Sequence, residues 1–334
     1  MSLPALIAAL LGTSLTAYGA LAGADFGAGV LDLLAAGRPT ERQAIAAAIG
    51  PVWEANHVWL IFSITLLFSA FPAAFSAVGT ALLAPLTVAL LAIVARSVAL
   101  GLRTAPGTTA RSQMLLSRVF GAASVAAPFA FGLAAGGLAE VSSSPRSATA
   151  RVPHVPWTGP FALLIGGVAV AMCTYLASSL VASGLVRAGE PRRAEPFRRR
   201  GLQAGACLLA LEVAAPVLAA ANGSAVWHRL IGPALPLLIA GLGAQALSLL
   251  ALARRRYALA RGAGLLAAAA VLWGWFEIQA PRLIGSKLTI HASAATHTAL
   301  GAVAISSGVV LALVLPAMCL LFTLFARPEL EVPE

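Results

Sequence analysis

Apolar positions run along this chain in long unbroken blocks, without the two-residue alternation of half-buried strands. Nine blocks are long enough to cross a bilayer as helices, at about 4–35, 49–72, 76–101, 117–139, 156–186, 198–221, 231–252, 259–280 and 298–326. Each meets the need for roughly 20 predominantly apolar residues per crossing. Prolines 51, 85, 128, 160, 216, 233, 236 and 316 fall within or at the edge of these blocks. A helical bundle tolerates them because neighbouring groups satisfy the freed carbonyls. No alternating ten-residue pattern is present, which argues against an outer-membrane barrel. The longest connections are about 16 to 18 residues, too short for a separate soluble domain. The pattern predicts an all-α polytopic membrane protein of about nine transmembrane helices, with residues 1–334 as one integral membrane domain.

Composition sharpens this reading. The chain has 334 residues, 60% of them apolar and 10% charged, with a mean hydropathy of +0.90. Soluble domains carry about 25% charged residues. The formal net charge of +10 could suggest an acidic partner such as nucleic acid, but its placement speaks for a membrane. With the N-terminus outside, the inner loops and helix ends hold sixteen arginines and the outer loops five basic residues. That bias follows the positive-inside rule and supports an odd number of crossings. No nucleic-acid partner is expected. The first block lacks a basic segment ahead of its apolar core, so it reads as a first span rather than a cleaved leader. Cys173, Cys207 and Cys319 lie inside apolar stretches without C-x-x-C spacing and read as small buried hydrophobes.

Few ionisable groups remain inside the blocks: Asp25, Glu54, His57, Arg96, Glu212 and, near an end, Glu277. Each costs roughly 2.5–3.5 kcal/mol to insert and so needs a partner, a cavity or a role. Counting along the helices places Asp25, Glu54 and Arg96 at similar depth in the inner half, and His57 one turn deeper on the face of Glu54. Two readings compete for this set. One is a buried ion pair that fixes helix packing. The other is a proton entry path, because a buried carboxylate changes protonation where an arginine does not. Glu212, near the middle of its block, suits a third possibility, a proton-coupled secondary transporter.

The segments GADFGAGV (23–30), IGPVWEANHVWLIF (49–62), FSAFPAAFSA (68–77) and ARSVALGLR (95–103) together resemble subunit II of cytochrome bd-type quinol oxidases. GPFALLIGGVAV (159–170) resembles the start of that family's fifth span, and the likeness thins beyond about residue 190. Departures occur: Glu54 stands where many members have Asp, His57 where Gln or Glu is common, and Gly101 where an acidic residue often precedes the second arginine, here Arg103.

The resemblance implies the haem-free partner in a complex that oxidises membrane quinol and reduces O₂ to water. Haems b558, b595 and d would sit in subunit I, with no haem or metal ligated by this chain and no catalytic residue in it. Subunit I would be the main partner; quinol and lipid would also be contacted, and a small single-span third subunit is left open. Residue by residue, Glu54 matches a proton-pathway carboxylate, Asp25 the acidic residue of the first-span motif, and Trp53 and Arg96 their own motif positions. Trp59 matches a tryptophan associated with the O₂ route, and His57 would extend the proton path. A proton-coupled transporter and a purely structural or assembly subunit remain the alternatives.

The resemblance also implies a first four-helix bundle over 1–139, a second over 156–280, and a peripheral ninth span at 298–326. It places the chain in the bacterial cytoplasmic membrane, N-terminus outside and C-terminus cytoplasmic. The Gly and Ala runs at 131–138 permit close helix approach and are expected to help pack against subunit I.

Overall fold

A computed structural model of the chain describes residues 2–35, 38–103, 105, 109–143, 155–222 and 224–325, with side chains described except at 49–55 and 321–325. Eleven helices carry almost all of it: α1 (Leu3–Leu34), α2 (Pro39–Ala70), α3 (Pro72–Ala81), α4 (Leu83–Arg103), α5 (Ala110–Ser143), α6 (Pro160–Arg187), α7 (Pro191–Ala221), α8 (Ala225–Leu230), α9 (Leu235–Ala253), α10 (Tyr257–Gln279) and α11 (His297–Phe325). Eight of these are long and apolar enough to cross a membrane, and α2 with α3 supplies a ninth if that bent pair is one span. The protein is an all-α polytopic membrane protein.

The bend between α2 and α3 measures 118° and corrects one sequence expectation. Residues 76–82 read as the start of the third span, yet the short α3 takes most of them and α4 begins only at Leu83. Pro72 is the cause, because a proline pushes the residue before it out of the helical region. Phe71 accordingly sits at φ −134° and ψ 59°. The bend is buried, with Ala70, Phe71 and Ala74 inaccessible, and the Ala295 N–H donates to the Ala70 carbonyl at 2.9 Å. A two-stranded hairpin, Arg282–Ile284 with Leu288–Thr289, precedes α11 and is too short to show in an apolar pattern.

Close packing depends on small residues. A Cβ on Gly132 would come within 2.6 Å of the Gly166 Cα, and one on Gly136 within 2.7 Å of the Ala162 Cα. The stripe at 131–138 therefore joins α5 to α6 inside this chain, which corrects its expected use against a second subunit. Helix α1 is central, packing on α2, α5, α6 and α10, while α11 touches mainly α2 and α1 and is largely uncovered. Cys173 is buried between α1 and α6, but Cys207 and Cys319 are exposed on apolar helix faces. An outward surface that meets lipid accepts a small apolar side chain as readily as the interior does, so position within an apolar block did not separate the three.

The arginine-rich helix ends lie together on one face. Arg200 Nη2 meets Glu41 Oε2 at 2.6 Å, tying α7 to α2, and Arg198 reaches the Ala253 carbonyl at the end of α9. Glu195 gathers Arg198, Arg199 and, at 3.6 Å, Arg255. Among the basic residues assigned to the opposite loops, Arg229 donates to the Ala280 carbonyl and Arg282 to the Ser142 carbonyl, which anchors those loops.

Candidate functional site

The GADFGAGV segment explains itself in contacts. Gly27 faces the Cys173 carbonyl and Ala177 of α6, where any Cβ would collide. Gly29 faces Ser124 of α5 just as closely. These two glycines let α1 approach α5 and α6 at the level where Asp25 turns inward. Antiparallel α2 is fixed against α1 by the Ser14–Ser63 hydroxyl pair at 2.7 Å, and Ser63 also donates to the Trp59 carbonyl.

Asp25 and Arg96 meet in that enclosure, 2% and 1% exposed. Arg96 donates from Nη1 to Asp25 Oδ2 at 2.5 Å and from Nη2 to Oδ1 at 2.8 Å, a two-pronged pair. Nη2 also reaches the Asp25 carbonyl at 3.2 Å, and Nε donates to Ser124 Oγ at 3.1 Å. Asn56 of α2 adds a further donor, Nδ2 to Asp25 Oδ2 at 3.0 Å. The guanidinium lies over the rings of Phe26 and Phe120, 4.8 and 5.1 Å from their centroids. Each such contact adds about 0.5–2 kcal/mol. Both carboxylate oxygens are thus engaged, and the charge of Arg96 is held by oxygens and by two ring faces.

A second acidic residue, Asp32, repeats this arrangement two helical turns further along. Arg103 Nη1 donates to Asp32 Oδ2 at 3.0 Å, and Arg42 Nε approaches Oδ1 at 3.6 Å. Arg103 also lies over the Phe120 ring, 5.2 Å from its centroid. The aspartates are seven residues apart on α1 and the arginines seven apart on α4, so two parallel helices present matching pairs about 10.5 Å apart along their axes.

The sequence expectations fare unevenly here. Asp25 and Arg96 come together as the depth argument required. Glu54 and Trp53 fall on the helical turn at 51–55, whose side chains lie outside the described residues. His57 is half-buried on α2, next to Asn56. Trp59 is 8% exposed among Tyr18, Phe26, Ala92, Ala123 and Cys173, and its indole N–H meets no acceptor among the described residues. Glu212 is buried on α7 with Oε2 unpaired among the described residues. The sequence reading missed Asn56, Ser124 and Asp32. Asp32 had a readable signal, the matched seven-residue spacing of 25 with 32 and 96 with 103. Asn56 had one too, its place in the IGPVWEANHVWLIF segment that carries the resemblance, but no role was read for it; Ser124 had none, since short polar residues in spans are common.

No group of three or more His, Cys, Asp or Glu side chains is placed to hold a metal ion among the described residues. Met318 packs beside the Trp59 cluster, whereas Met172 belongs to the core shared by α6, α7, α9 and α10, so the two thioethers serve different cores.

Comparison with known proteins agrees with the layout. Residues 3–325 match the family described as cytochrome bd terminal oxidase subunit II. A stretch of 83 residues is 35% identical to a cytochrome bd ubiquinol oxidase subunit 2 from Bacillus subtilis (strain 168), and that alignment spans 25% of each chain. The fold is similar to a chain of the bd oxidase from Geobacillus thermodenitrificans, with a TM-score of 0.78 and 20% identity over 97% of this chain and 99% of that one. With the match covering nearly its whole length, the chain belongs to the cytochrome bd terminal oxidase subunit II family.

Proposed function

We propose that this chain is the haem-free subunit of a quinol-oxidising, O₂-reducing complex in the bacterial cytoplasmic membrane, and that it helps bring protons in from the cytoplasm. Haems b558, b595 and d and the quinol-oxidising site would be carried by subunit I, in line with the family. The arginine-rich face would be cytoplasmic, with the N-terminus outside and the C-terminus inside, because positive charge is retained on that side. The two four-helix bundles, 1–139 and 156–280, and a peripheral ninth span belong to the same proposal.

The observation that carries the reading is the buried Asp25–Arg96–Asn56 cluster, built by the family's motif helices. An ion pair this enclosed is costly to place in a membrane and gains little stability over apolar packing. Its retention at the level of the α2 motif fits a site that handles charge. Between it and the α2 motif the labour divides. Asp25 has both oxygens committed to donors, so it braces α1, α2 and α4 and sets the local field. Glu54, two residues before Asn56 on α2, is the group that takes and passes protons, and His57, one turn on, receives them. Trp59, in its apolar cluster, belongs to the route by which O₂ arrives. The structural alternative keeps one specific support, the two-pronged geometry of Asp25 with Arg96, and applies to that pair alone.

The test is purification through a tag on this chain followed by a reduced-minus-oxidised spectrum and quinol-driven O₂ consumption. Haem bands on a larger copurifying subunit, with O₂ uptake, are expected. A chain that is stable alone and copurifies with no haem protein would overturn the assignment.

A further inference from the structure

At the arginine-rich end, the close of α1, the start of α2 and the start of α5 surround a cavity of about 390 Å³. Its polar wall is Arg42, Arg118, Gln113 and Ser117, and its apolar wall includes Leu33 and Met114. The charges here do not cancel. Asp32 is buried and already accepts from Arg103 at 3.0 Å, so one aspartate is shared by two arginines, and Arg118 on the cavity wall adds a third positive charge. Arg42 Nε approaches that carboxylate at 3.6 Å, too long for a hydrogen bond, and the side chain is 32% exposed. Arg118 is exposed and forms no ion pair among the described residues. Two guanidinium groups with spare N–H donors therefore flank one cavity, a geometry suited to a phosphate.

The surroundings decide which phosphate. The cavity lies at the end of membrane-crossing helices, and exposed apolar side chains stand on the helices that line it: Met114, 58% exposed, in its wall, with Leu34 at 54% and Leu115 at 62% next in sequence to the lining residues Leu33 and Met114. A free anion would leave that surface unused. A lipid would set its headgroup between the arginines and its acyl chains against the apolar flank.

We propose that this cavity is a binding site for the phosphate of an anionic phospholipid, held by Arg42 and Arg118 with Gln113 and Ser117 as further hydrogen-bond partners. The inference needs only that the chain spans a membrane; it does not depend on the direction of insertion or on the proton path.

The purified complex is delipidated in detergent and titrated with phosphatidylglycerol, bound lipid being counted by native mass spectrometry. Phosphatidylcholine and inorganic phosphate are run in parallel. Arg118→Gln is expected to weaken phosphatidylglycerol binding about fivefold, the fold-change equivalent to roughly 1 kcal/mol for one basic residue near an anionic surface. Arg42→Gln should do the same, and the double variant should lose the site. Arg254→Gln, in the other half of the chain, should leave binding as it was. Arg118 lies clear of the Asp32 pair, so its variant reads binding without disturbing that pair. Equal binding of phosphatidylglycerol by wild type and Arg118→Gln would overturn the proposal. Full competition by inorganic phosphate would overturn it in favour of a free-anion site. Release of the partner subunit from Arg118→Gln with unchanged lipid binding would show instead that a partner's acidic group fills the cavity.

Discussion

Replacing Asp25 by Asn removes one charge from a pair that is almost inaccessible to water, Asp25 being 2% exposed. Arg96, 1% exposed, would then keep a buried positive charge facing a neutral amide, two aromatic rings and the Ser124 hydroxyl. Stranding one partner of a buried pair costs about 3–5 kcal/mol. Unfolding entropy of about 2.1 cal/mol/K per residue gives a chain of this length about 0.7 kcal/mol/K, so the loss corresponds to a fall of about 4–7 °C in melting temperature. Arg96→Gln should cost a similar amount by stranding Asp25. The double variant, Asp25→Asn with Arg96→Gln, strands neither charge and should lose less than the sum of the two. The assay is thermal unfolding of the intact complex for all four proteins, with O₂ consumption measured on the same samples. Single variants that melt with wild type would refute the brace. So would an Asp25→Asn complex that melts normally yet has lost turnover, because Asp25 would then be moving protons itself.

Three further outcomes follow from the same geometry. Asn56→Ala removes one hydrogen bond to a carboxylate, worth about 1.5–3 kcal/mol, and should lower the melting temperature by less than Asp25→Asn does. Gly27→Ala places a methyl group against the Cys173 carbonyl and should reduce assembled complex recovered from membranes, whereas Gly101→Ala, with open space around it, should not. Arg103→Gln breaks the second pair, with Asp32, but its side chain is 21% exposed and solvent screens the loss, so by thermal melting it should cost less than Arg96→Gln.

The spans were legible because every crossing must satisfy its own backbone in lipid, and that demand writes long apolar blocks into the sequence. The ends were less so: α2 and α7 begin about ten and seven residues ahead of their apolar blocks, where PTERQ and PRRAEPF continue the helix outside the hydrophobic stretch. Pro72 was visible, yet hydropathy alone does not tell a break from a crossing. Depth counting paired Asp25 with Arg96 because both are costly in lipid and lie at the same level. It could not find Asn56 or Ser124, whose importance rests on which way they face. The glycine stripe at 131–138 announced a close contact but not whose, since a helix of the same chain and one of another chain ask for the same small residues.

Whether Glu54 relays protons beside a structural Asp25–Arg96 brace, as proposed, is decided by Glu54→Gln in the assembled complex. Quinol-driven O₂ consumption is measured alongside the reduced-minus-oxidised haem spectrum and the melting temperature. Turnover should slow about 10²-fold or more, as expected for loss of a proton-transfer group, with spectrum and melting temperature kept and much of the rate restored by Glu54→Asp. Wild-type turnover in Glu54→Gln, or loss of haem and assembly in its place, would contradict the relay.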